Sequence, residues 1–311
     1  MPSRPWALGA GALVDRRDPQ RPRPYQQRIA PSDGCRAPTL DEMTSSTRTS
    51  VQPPAPLVRA LEAITWPIEV AGYWALAPAL RVLGRGDQHP VLTLPGFGAS
   101  DNSTVPLRWA LRGQGYWVHA WRLGRNIGPT ARIVDGMRQR LLELHAEHGR
   151  TVTVVGQSLG GIYARLLARE HPDAVRQVIT LGSPYRMTQG DRSSVQHLWD
   201  QVEHLHIPAM QSDLREEDRP PLLMPATSIY SRTDGIAPWY TCIDVVRENA
   251  ENIEVRGSHV GMGVNPAVLL AVLDRLAQPE HDWRPFAPPL ALRSWYPRPV
   301  SWRERSTIAV R

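Results

Sequence analysis

A serine between glycines, an aspartate before a glycine and a late histidine are the residues here whose types can make and break a covalent bond together. Ser158 stands in Gly156-Gln157-Ser158-Leu159-Gly160, Asp234 in Ser231-Arg232-Thr233-Asp234-Gly235, and His259 in Gly257-Ser258-His259-Val260-Gly261. A hydroxyl is a weak nucleophile until a base takes its proton, and the base needs a third group to fix its tautomer. The chain order Ser, Asp, His fits nucleophile, orienting acid and base. Asp213 and Asp244 are rival acids, the first inside a polar insertion and the second expected on the helix after the strand.

Acyl transfer also needs two backbone N–H groups aimed at the developing oxyanion. Leu159, directly after the serine, is one candidate donor. Phe97 is the other, in Leu94-Pro95-Gly96-Phe97-Gly98, where Gly96 and Gly98 let the loop come close.

These groups need a scaffold, and from His89 onward strands alternate with helices. Val91–Leu94, Tyr116–Trp121, Thr151–Val155, Val175–Leu181, Ala226–Tyr230 and a short Ile253–Val255 read as strands. Thr130–His148, Leu159–His171 and Pro266–Leu276 read as helices, the last starting at its proline. Mostly apolar strands alternating with helices imply a parallel sheet covered on both faces. The Gly-x-Ser-x-Gly string falls between a strand and a helix, where a sharp turn exposes the hydroxyl at the sheet edge.

These motifs resemble the bacterial lipase and esterase branch of the α/β-hydrolase family. The resemblance covers roughly residues 88–278 and rests on Pro95-Gly96-Phe97-Gly98, Gly156 to Gly161, Asp234-Gly235 and Ser258-His259. It implies the α/β-hydrolase fold and a covalent acyl-enzyme on Ser158, released by water that His259 activates, with no cofactor and no metal. Gln157 stands where many such lipases carry His, and Pro95 where many carry His before the glycine. The subfamily, and the choice among ester, thioester and amide cleavage or acyl transfer, therefore stay open. A non-catalytic lipid-binding scaffold would have a broken triad, and none of the three positions is broken.

The rest of the chain divides around this domain, taken as residues 57–279. Residues 1–56 are rich in Pro and Arg with no periodic apolar pattern, and disorder is expected there. Met43-Thr44-Ser45-Ser46 reads as a natural start, which would make residues 1–42 an upstream extension. The apolar stretch 57–83, interrupted by Pro67 and Pro78, suggests two short helices that lean on the domain or, through Trp66, Tyr73 and Trp74, on a lipid surface. Residues 185–224 form a polar insertion, either a short cap over the site or a surface excursion. Residues 280–311 are a Pro-, Trp- and Arg-rich tail that wraps the domain or stays free.

Charge and composition exclude several classes. All 36 basic residues are Arg, which rules out a Schiff-base or P-loop lysine. The net charge of +6 resides in the two tails, leaving the domain neutral, so nucleic-acid binding is not expected. Only Cys35 and Cys242 occur, which gives no disulfide framework. Trp6–Val14 is too short, and lacks the cleavage site, for a signal peptide, so a cytoplasmic or membrane-peripheral location is expected.

Overall fold

The computed structural model describes residues 50–80, 86–188, 190–207 and 216–300. The expectations for the first 49 residues, with Met43 and Cys35, and the rival acid Asp213 lie outside the described residues.

Six strands form one sheet in which every pairing is parallel. They are β1 (Pro90–Leu94), β2 (Trp117–Ala120), β3 (Val152–Gln157), β4 (Val175–Leu181), β5 (Ala226–Ser231) and β6 (Ala250–Val255), in the spatial order β2-β1-β3-β4-β5-β6. Three helices, α1 (Pro56–Leu80), α2 (Val105–Gly113) and α6 (Pro266–Leu276), pack on one face, and α3 (Ala131–His148) with α4 (Leu159–Glu170) on the other. Strand periodicity sorts the core into these layers: Val91, Val155 and Ile179 face the first, while Leu92, Val154 and Val178 face the second. The chain reverses its direction of advance between neighbours β1 and β3, so the loops leaving them diverge and open a crevice at their carboxyl ends.

Local chemistry sets the helix ends. The Thr130 side chain accepts the N–H of Ile133 to start α3, which stops at Gly149 in the left-handed conformation. Asn265 accepts the N–H groups of Ala267 and Val268, with Pro266 in the first turn of α6.

Where two short helices are expected over 57–83, α1 is one helix of 25 residues with Pro67 and Pro78 inside it. Pro67 deprives the Ala63 carbonyl of its intrahelical donor, but both residues are exposed, so water can replace the bond. Docking on the opposite side holds the helix. Tyr73 is buried and donates to the Pro106 carbonyl at 2.9 Å, so it is not available to an outside surface.

The last strand is longer than the three residues expected, and its outer edge is covered. Residues 280–300 wrap it: Phe286 N–H donates to Glu251 at 2.6 Å, the Tyr296 hydroxyl to the Ala267 carbonyl at 2.8 Å, and Val300 N–H to the Tyr230 hydroxyl at 2.9 Å.

Candidate active site

Ser158 occupies the turn between β3 and α4 with φ +51° and ψ −122°, outside the regions that ordinary side chains populate. Such strain of about 1–3 kcal/mol persists only where the surroundings enforce it. The serine N–H donates to the Leu181 carbonyl at 2.8 Å, tying the turn to β4. Close crossing explains the glycines: a Cβ at Gly156 would strike the Gly160 carbonyl, and one at Gly160 would strike the carbonyls of Leu94 and Pro95. Gly96 lies over the serine, where a Cβ would sit 3.2 Å from that of Ser158.

Asp234 follows β5, His259 follows β6, and the structure brings these two together. His259 Nδ1 lies 2.6 Å from Asp234 Oδ2, with both side chains buried. A carboxylate oxygen can only accept, so Nδ1 carries the proton and Nε2 is left as the basic nitrogen. The second oxygen of Asp234 accepts the N–H groups of Ile236 at 2.9 Å and Ala237 at 2.7 Å. Burial alone would lower the His259 pKa; the charge of Asp234, its hydrogen bond and the charge of Glu62 outweigh that and raise it. Gly182, at φ +55°, lies beneath the pair, where a Cβ would be 3.1 Å from Asp234 Oδ2.

No hydrogen bond joins Ser158 to His259. They share the edge through neighbours: Gln157 Nε2 donates to the His259 carbonyl at 3.0 Å, and Leu181, which holds the serine N–H, precedes Gly182. Catalytic hydrogen bonds are often long before substrate arrives.

Leu159 is the first residue of α4, so its N–H has no acceptor within the helix. Phe97 is half-buried in the loop after β1, and Asn126 fixes that loop. Asn126 is fully buried, donates from Nδ2 to the Pro95 carbonyl at 2.8 Å, donates its N–H to Ala99 at 2.7 Å and accepts the Gly98 N–H at 2.7 Å.

The insertion crosses above this edge. Ser194 Oγ donates to the Gly235 carbonyl at 2.8 Å on the acid side. From there α5 (Gln196–Val202) sets Trp199 against Phe97, with ring centroids 5.4 Å apart, on the side of the loop after β1. Asp244, the rival acid, lies in a loop rather than on a helix and is committed elsewhere, its Oδ2 2.8 Å from buried Arg165.

Sequence reasoning missed Asn126, Glu62 and Glu69. Both glutamates lie on α1, and both reach the histidine loop. A readable signal existed, since they are the only acids of an otherwise mostly apolar helix and stand seven residues apart. Asn126 carries no local sign of its role.

The parallel sheet with its reversal between β1 and β3, the serine turn after β3 and the helices on both faces are the α/β-hydrolase fold. Residues 124–240 match the family model described as a PGAP1-like alpha/beta domain. Solved structures that resemble the chain include a Bacillus licheniformis lipase, at 16% identity over 63% of this chain and 96% of the other, with a TM-score of 0.45. Aspergillus fumigatus lipase B has 18% identity over 63% of this chain and 55% of its own, with a TM-score of 0.47. The RedJ thioesterase from the prodiginine pathway of Streptomyces coelicolor has 17% identity over 63% and 91%, with a TM-score of 0.42. No curated protein matches the sequence significantly.

Proposed function

We propose that the protein is a serine hydrolase of carboxylic esters, with Ser158 as nucleophile, His259 as base, Asp234 as orienting acid, and the N–H groups of Phe97 and Leu159 as the oxyanion hole. The observation that carries this reading is the 2.6 Å contact between His259 and Asp234 beside a serine held at positive φ. In the first step Ser158 Oγ bonds to the ester carbonyl carbon while His259 Nε2 takes its proton. The carbonyl oxygen becomes an oxyanion between the two N–H groups, a donor set worth about 10²–10³ in rate per member. Collapse breaks the bond to the alcohol oxygen, which leaves with the proton from His259. Water, deprotonated by the same nitrogen, then attacks the acyl carbon; collapse breaks the bond to Ser158 Oγ, which takes back the proton from His259, and the acid is released.

A lipid ester is the substrate class favoured by the apolar surroundings. Trp199 packs on Phe97 of the proposed oxyanion loop, and Leu57, Ile64, Ile68 and Trp74 on α1 are each at least 60% exposed. That face suits contact with a lipid surface. Among the described residues no helix is long and apolar enough to cross a membrane. Assay of the purified full chain on p-nitrophenyl acetate and palmitate tests the reading: turnover of either supports it, with the longer ester favoured. A well-folded protein that turns over neither counts against it.

A further inference from the structure

Helix α1 lies outside the family-matched segment, yet both of its acids point into the site. Glu62 Oε1 accepts the N–H of Gly235 at 2.8 Å and of His259 at 2.7 Å, and its Oε2 accepts the N–H of Val260 at 3.1 Å. Two turns along the helix, Glu69 accepts the N–H of Ser258 at 3.0 Å and Asn265 Nδ2 at 2.8 Å, and also takes the Ser258 hydroxyl. The helix backbone presses on the acid turn as well, since a Cβ at Gly235 would lie 2.8 Å from the Val58 carbonyl.

We propose that Glu62 is a positioning residue of the hydrolytic reaction, its single carboxylate fixing the Asp234 turn and the His259 loop relative to one another. The proposal rests on the triad reading given above. Asp234 and His259 come from different strands. The hydroxyls of Ser231 and Thr233 tie the start of the turn to the Gly257 carbonyl at 2.7 and 2.9 Å. Beyond that point this carboxylate joins Gly235 to the backbone of His259 and Val260, alongside the Asp234–His259 side-chain contact. Three N–H groups converge on Glu62, and a carboxylate has the lone pairs to accept them all with charge-assisted bonds. A displacement of about 1 Å in such a site costs on the order of 10²-fold in rate. The charge also faces the imidazolium that forms during the reaction, alongside Asp234, with Glu69 one step further behind Ser258.

Two variants of the full chain separate the mechanical role from the electrostatic one. Glu62→Gln keeps an oxygen able to accept from Gly235 and His259 but loses the charge; Glu62→Ala loses both. Steady-state ester hydrolysis across pH gives kcat and KM, and histidine NMR with a His259→Gln reference follows the His259 titration without needing turnover. We expect Glu62→Ala to lower kcat by about 10²-fold with KM little changed. Glu62→Gln should keep kcat to within about tenfold, and both should move the His259 titration to lower pH. Wild-type kcat in folded Glu62→Ala, or a His259 titration unmoved in both variants, overturns the proposal. A wild-type protein without turnover would remove the hydrolase reading, while the His259 titration would still decide whether Glu62 acts on that residue.

Discussion

Gln157 and His259 are joined across the site: the amide Nε2 of the residue before the serine donates to the main-chain carbonyl of the histidine at 3.0 Å. The position that many lipases of the fold fill with His has a use here as Gln, since it links the β3 turn to the loop after β6. Gln157→Leu removes the donor without emptying the space. The expected outcome is a fall in kcat of roughly tenfold, the equivalent of one hydrogen bond, with KM little changed. Kinetics indistinguishable from wild type would mean that the link does not position the histidine.

The Asp234–His259 contact fixes a pH dependence. As the proposed base, His259 would have to be neutral to accept the serine proton, and burial, which lowers its folded pKa, is outweighed by Asp234 and Glu62, which hold it above the ordinary value. Activity should therefore fall as pH drops through that raised value. Asp234→Asn should lower kcat by about 10⁴-fold and move the residual acid limb to lower pH. A pH profile of kcat/KM for both proteins checks this, and an acid limb in the same place for both would contradict it.

Crowding beneath Ser158 makes one glycine far less replaceable than another. A Cβ at Gly160 would meet the Leu94 and Pro95 backbone, which cannot rotate away, whereas Gly113 has open space around it. Gly160→Ala should cost about 1–3 kcal/mol in urea unfolding and abolish turnover. Gly113→Ala should leave stability unchanged or raise it by up to about 1 kcal/mol. Equal effects of the two would argue against the tight crossing.

A histidine pair far from the site should contribute to acid stability, alongside buried His89, whose pKa burial also pushes down to about 4. His119 Nε2 and His148 Nε2 are 2.9 Å apart, which leaves room for one proton between them. Burial first, and then the charge of His148, push the His119 pKa down to about 4. The unfolded chain takes up this proton near pH 6.5 and the folded chain does not, so stability is lost as pH falls from there toward 4. Melting temperature followed over that window should decline less in His119→Gln than in wild type. Parallel curves would show that the pair does not contribute.

How much of this was legible in the sequence depended on whether the cause was local. The Ser158 turn could be read because close crossing demands glycine at 156 and 160, and those residues lie beside the serine. The sheet could be read from its apolar strands, and α6 from its Asn265-Pro266 start. Helix α1 differs from the expected two pieces because the loss at each proline is outweighed by docking, such as buried Tyr73 on the Pro106 carbonyl, that only folding brings about. Glu62 stands out as one of two acids on a mostly apolar helix, but what it grips, like the hold of Asn126 on the Pro95–Ala99 loop, is not legible, because the partners are main-chain groups brought near only by folding. Likewise nothing local to Trp199 says that it meets Phe97.

The most direct test of the account is labelling with a fluorophosphonate, followed by peptide mass mapping, on the wild-type chain and on Ser158→Ala. The phosphonyl group should appear on Ser158 alone, block ester turnover in proportion to its occupancy, and be absent from the variant. Labelling that maps elsewhere, or a folded wild-type chain that is not labelled, would contradict the assignment of Ser158 as an activated nucleophile.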